Sequence, residues 1–189
     1  MRITRDEAAA ALSDIDATTS RLGERRGYHV AGPILMLWGL VWLCCYSAMG
    51  LLPPEQWGWS WLVGDAIGIV GTIVLSARAN ACAGEGVGRR GMGWRPFAAG
   101  VAIAVFIGAT LSIFGVEDPN AFMTFPGIVC GAIYFTIGLM HRPRYLVIGS
   151  AVFVASLVGF FGFPDILPFW MAGVGAVGLF LGGLWMRSA

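Results

Sequence analysis

Six stretches of predominantly apolar residues, each about the length that a helix needs to cross a bilayer, recur along this chain with short polar breaks between them. Only a structure that satisfies its own backbone hydrogen bonds can occupy hydrocarbon, and runs of this length do so as helices. The pattern predicts an all-α membrane protein, a six-transmembrane-helix bundle preceded by a cytosolic amphipathic helix. The expected spans are 31–52, 57–78, 97–115, 121–140, 145–163 and 166–186. They form one transmembrane domain over 30–189 behind an N-terminal arm over 1–29. Only 12% of the residues are charged, against about 25% in a soluble domain. Six spans use most of the 189 residues and leave no room for a soluble enzyme domain.

The breaks carry the orientation. Arg21, Arg25 and Arg26 precede the first run, Arg78, Arg89, Arg90 and Arg95 follow the second, Arg142 and Arg144 follow the fourth, and Arg187 ends the sixth. The alternate breaks hold only Glu55, Glu117, Asp118 and Asp165. Basic residues stay on the cytoplasmic side. The expected placement is therefore a bacterial inner (cytoplasmic) membrane, multi-pass, with both termini cytoplasmic. No secretory signal is expected, because the first apolar run begins only near Val30 and follows an acidic as well as basic leader.

Residues 4–22 read as the amphipathic arm. Thr4-Arg5-Asp6-Glu7 fits a capping box, and Ala8, Ala11, Leu12, Ile15, Thr19 and Leu22 recur at helical spacing. Gly23 is the expected stop. The stripe is thin, and Asp14 and Asp16 make the middle acidic, unlike a membrane-surface helix. The arm is expected either to rest on the cytoplasmic side of the bundle or to dock a cytosolic protein or a second copy. In the first span, Trp38 and Trp42 lie one turn apart and are expected to share a face.

The second run, Trp57 to Arg78, contains Asp65, the one charge placed inside a hydrophobic run. A carboxylate at that depth is costly and marks a functional hypothesis. Tyr46, Ser47, Thr110, Ser112, Thr124 and Ser156 fall at comparable depth from the same side. With Asp65 they are the candidate binding residues of an outward-facing polar pocket. The competing expectation is a hydrated Asp65 near the surface. Gly64, Gly68 and Gly71 flank it, and the fourth and sixth runs are also glycine-patterned. Small residues let helices approach closely in lipid. Three related hairpins with the even spans packed at the centre are one reading, and convergent packing is the other.

No catalytic residues, cofactor or metal site are expected. There is no metalloprotease or nucleophile-elbow motif, and His29 and His141 both lie at the interface without ligand partners. Cys44, Cys45, Cys82 and Cys130 form no C-x-x-C and read as small apolar fillers. Gly86-x-Gly88-x-x-Gly91 follows a membrane span, not a strand, which removes its dinucleotide meaning. Nucleic acid is excluded as a partner by the acidic arm. The tryptophans Trp57, Trp59, Trp61 and Trp170 on one side and Trp94 and Trp185 on the other read as aromatic belts.

The arm ending in Arg25-Arg26, followed by Trp38-Gly39 in the first span and six spans in all, resembles a group of uncharacterised bacterial six-span proteins. That resemblance implies a small winged-helix regulator as a partner. Span count and glycine-rich hairpins are more distantly similar to HdeD-like acid-resistance proteins. The expectation is a non-enzymatic inner-membrane protein, regulatory or stress-linked, acting through its arm. The alternative is a small oligomeric transporter or channel using Asp65 as proton or cation site. Expected partners are the lipid bilayer and a cytosolic protein, or a second copy joined through the arm and the glycine-rich helix faces.

Overall fold

A computed structural model describes residues 4–81, 95–140 and 143–188, which are helical with short turns and contain no strand. The glycine motif at 86–91, Cys82, Trp94, His141 and Arg142 lie outside the described residues. Helix α1 spans Arg5–Leu51, α2 Trp57–Ala81, α3 Arg95–Ile113, α4 Pro119–Met140 and α5 Pro143–Gly162. The last rod is composite: α6 (Leu167–Gly173), a π-helical stretch (Val174–Leu181) and α7 (Gly182–Arg187). Single 3₁₀ turns at Pro54–Gln56 and Pro164–Ile166 precede α2 and α6, each opened by the proline that the sequence places there.

Five helices, Gly27–Leu51, Pro54–Ala79, Pro119–Met140, Pro143–Gly162 and Pro164–Arg187, are long and apolar enough to cross a membrane. They fit a multi-pass membrane protein. The apolar part of α3, Ala98–Ile113, is shorter.

The first correction concerns Gly23. It does not stop the helix, and α1 runs unbroken for 47 residues from the arm into the bundle. One glycine costs a helix about 1 kcal/mol, and the arginine-, leucine- and glutamate-rich residues around it are good helix formers. The arm also does not lie on the bundle over 11–15. Ala11, Leu12, Ser13, Asp14 and Ile15 are all exposed, and five consecutive residues cover more than one full turn.

The bundle's core is built by α1, α4, α5 and the composite rod. Glycines set its distances. A Cβ on Gly32 would fall 2.7 Å from the Gly183 carbonyl oxygen, and one on Gly39 would fall 2.8 Å from that of Gly175. On the opposite flank, α4 and α5 are in backbone contact along their length. A Cβ on Gly149 would fall 2.7 Å from the Gly131 oxygen, and one on Gly138 would run into the Leu146 backbone.

The second correction follows. The even-numbered runs do not form the centre as a set: the fourth and sixth share the core with α1 and α5, whereas α2 packs on α1 alone among its substantial contacts. Its glycine ladder takes up α1 side chains: Cys45 lies against Gly64, Trp38 against Gly68 and Leu37 against Gly71. Its opposite face, with Leu62, Val63, Ile67, Val70 and Ile73, is exposed. Helix α3 is still more peripheral. It touches α4 through the stacked rings of Phe106 and Phe125, 6.4 Å apart. It ends on Gly115 at φ +56°, where the Val116 N–H donates to Leu111 O and the Gly115 N–H to Ser112 O. That pair of bonds is a Schellman cap, which needs a left-handed residue and therefore favours glycine. Asp118 then caps α4, accepting a bond from the Asn120 N–H at 2.9 Å ahead of a helix that opens with Pro119.

Candidate functional site

The seven candidate residues do not converge on one pocket. Tyr46, Thr124 and Ser156 share one buried layer in the outer third of the core, the third farthest from the arm. The Tyr46 ring is fully buried, and its hydroxyl donates to the Met123 carbonyl of α4 at 2.7 Å. Thr124 is the next residue, and Gly127, one turn on, leaves the space that the Ser156 hydroxyl of α5 occupies. Leu167 and Met171 of α6 complete the layer and are fully buried.

These hydroxyls are already committed. Thr124 donates to Asn120 O and Ser156 to Val152 O, each at 2.8 Å. Bonding back to the carbonyl four residues earlier is how serine and threonine satisfy themselves inside a helix. Tyr46 is different because its bond crosses from α1 to α4. Its ring also stands edge-on to Trp42 at 5.6 Å and to Trp61 of α2 at 5.1 Å. Trp61 in turn donates to the Met49 sulfur at 3.0 Å. The layer is an aromatic and sulfur-rich staple joining α1, α2 and α4.

Asp65 lies outside it. It is partly buried on the stripe of α2 that faces α1, which runs through Trp61, Gly64, Gly68 and Thr72. Trp61, one turn earlier, reaches Tyr46, whereas Asp65 follows Gly64 on the flank where Cys45 packs. No arginine occurs within the apolar runs to neutralise it.

Thr110 and Ser112 are on α3. Ser112 is exposed, bonds to Gly108 O at 2.8 Å, and lines an open hollow of about 480 Å³ between the end of α3 and the start of α4, with Glu117 and Phe122. Ser47 is partly buried on α1. Among the described residues, no three histidine, cysteine or acidic side chains gather as metal ligands.

Trp38 and Trp42 also part company. Trp38 turns to α2 and donates to Thr72 Oγ1 at 3.1 Å, while Trp42 packs against Gly175 of the composite rod. Both faces of α1 are engaged, so residues one turn apart need not meet the same neighbour.

A cluster that the sequence reading missed sits at the arm end of the bundle. Arg144, in the first turn of α5, donates to the Trp185 carbonyl of α7 at 2.5 Å. Its guanidinium lies 5.0 Å from the Trp185 ring and 5.5 Å from the Tyr28 ring of α1. Tyr28 and Tyr145 are buried with ring centres 6.5 Å apart, and Tyr134 of α4 lies 5.6 Å from Tyr145. The available signal was position: Tyr28, Arg144 and Trp185 all fall at one end of their helices, in an arginine-bearing interface.

No protein-family model, curated protein or solved structure matches this chain.

Tyr46→Phe removes the cross-helix bond and leaves the ring packing in place. The expected loss is about 0.6–1 kcal/mol, the usual scale of such bonds in membranes. Thermal unfolding in mild detergent, beside Thr136→Val at an exposed self-bonded hydroxyl, checks it. Equal stability of the two variants would show that the Tyr46 bond adds nothing.

Proposed function

We propose that this chain is a non-enzymatic, regulatory protein of a bacterial inner membrane that acts on a cytosolic protein through its N-terminal arm. The observation that carries this reading is the arm itself. It extends about 33 Å beyond the first apolar segment at 1.5 Å per residue and is continuous with α1. It also presents Leu12 and Ile15 at 63% and 60% exposure. A solvated helix with two large apolar side chains on an acidic body suits docking in an apolar groove. Removing residues 1–22 should leave the bundle folded and abolish co-purification of one partner at fixed stoichiometry, and Leu12→Asp with Ile15→Asp should do the same in the full chain. Retention of that partner by both variants would overturn the reading.

The reading includes six crossings with both termini in the cytoplasm. Helix α3 has 19 residues, about 28 Å of helix at 1.5 Å per residue, close to the hydrocarbon thickness of about 30 Å. The arginine distribution supports the same count. A cysteine at position 117 should react with an impermeant maleimide added outside intact cells. Reaction only after permeabilisation would reduce the crossings before it from three to an even number.

A second reading, a small oligomeric transporter or channel, is favoured by Asp65, a carboxyl on a peripheral helix with no basic residue in the apolar runs to pair with it. In that case Asp65→Asn should abolish proton- or cation-coupled flux in proteoliposomes. Undiminished flux in the variant, across mildly acidic to mildly alkaline pH, removes Asp65 from the transport path.

A further inference from the structure

We infer that Arg144 is a latch that sets the angle of the arm and couples it to the C-terminal rod. The inference rests on the arm being the working part of the protein and adds how its position is controlled.

Tyr28 stands where the exposed arm becomes buried. Every described side chain from Thr4 to Gly23 is exposed, and Tyr28 is 3% exposed. Among the described side chains of α1, it is the first packed into the core. Arg144 meets it in two ways: the guanidinium lies over the ring, and the Arg144 backbone N–H points at the Tyr28 hydroxyl at 3.5 Å. The same guanidinium stacks on Trp185 and donates to its carbonyl. That carbonyl also accepts the Ser188 N–H and hydroxyl, at 3.2 and 2.7 Å, so it is the terminal acceptor of α7. A cation is favoured at such a helix C-terminus. One planar group therefore holds the base of α1 and the last turn of α7 together, from the first turn of α5. Only arginine offers a flat face for two rings and a donor edge for a carbonyl at once.

Because α1 is unbroken through Tyr28, tilting the arm moves that ring. Separating Tyr28 from Arg144 removes one wall of the guanidinium's site and loosens the α7 terminus. Coupling of this kind is reciprocal, so displacement of α7 must also release the arm. One turn deeper, Gly32 and Gly183 keep the two backbones in contact. Motion is thereby confined to the segment beyond them, as a pivot and not a separation.

The test uses the full chain in nanodiscs, its four cysteines replaced by alanine. Spin labels go on the arm at Ser13→Cys and on the exposed face of α5 at Val147→Cys. The parent should give one narrow distance distribution. Arg144→Gln, and Arg144→Lys, which keeps the charge but loses the planar fork, should widen it about twofold or more, the signature of a freed rigid segment. Trp185→Leu removes only a ring that is 44% exposed and carries the test if the Arg144 variants do not fold. Widening supports the latch, and a distribution of parent width in folded Arg144→Gln or in Trp185→Leu overturns it. This is read without any partner. A failed latch therefore leaves the arm's docking role standing, and loss of partner capture in the arm variants leaves the latch standing.

Discussion

Helices in lipid gain nothing from hiding apolar surface against each other, because hydrocarbon surrounds them anyway. What holds this bundle together is close approach, and glycine decides where that is possible. Where Gly32 meets Gly183, Gly39 meets Gly175 and Gly131 meets Gly149, backbones lie near enough that an added Cβ would strike main-chain atoms. These contacts fix α1 against the composite rod and α4 against α5. The core side chains Trp42, Tyr46, Met123, Val152 and Met171 then fill the space between the two pairs. On α3, by contrast, Gly100 and Gly108 have nothing within 4 Å of a would-be Cβ, and that helix is joined to the remainder by little more than a ring stack. Glycine content alone does not mark a central helix. What matters is whether the opposing surface is backbone, a side chain or lipid.

The polar groups obey the same medium. A hydroxyl buried without a partner is costly, and Thr72, Ser112, Thr124, Thr136, Ser150 and Ser156 each avoid this by bonding to the carbonyl four residues earlier. Such a residue is self-sufficient, so its presence at a given depth says little about whether it lines a pocket. Tyr46 and Trp38 have no such local solution. Their long side chains must cross to another helix, and they do so to Met123 and Thr72. Asp65 in its ionised form can use neither device, since a carboxylate accepts and does not donate, and only the protonated acid could bond to a carbonyl.

The boundaries were the most legible part. Pro53-Pro54, Asp118-Pro119 and Pro164-Asp165 each coincide with a turn, and the tryptophan- and arginine-bearing ends fall at helix termini. The glycine ladder of α2 was readable as a packing face, and the structure supplies its partners. Neighbour relations were not readable. Tyr46, Thr124 and Ser156 meet while Asp65 and Ser112 do not, because depth along the normal is written in the sequence and the azimuth of each helix is not. Gly23 misled for a related reason. A glycine signals a stop only where the following residues favour leaving the helix, and Glu24-Arg25-Arg26 favour staying in it.

The absence of that stop changes what the arm can do. A helix joined to a span by a flexible linker reports only its own location, since the linker discards orientation. Here the arm and the first membrane segment share one backbone ladder, so the direction of the arm is fixed by the packing of residues 28–49. The Trp42–Tyr46–Trp61 staple holds the far end of that lever and the Gly32–Gly183 contact holds it near the arm. Between the second of these and solvent, Arg144 and Tyr145 meet α1 at Tyr28. A membrane bundle that anchors the deeper part of this helix by backbone contact, and its last buried turn by a few side chains, has a defined place at which a small force produces a large excursion. Leu12 and Ile15 lie about 24 and 20 Å along the helix from Tyr28 at 1.5 Å per residue, so a tilt of about 10° there moves them by about 3–4 Å, enough to present or withdraw a docking face.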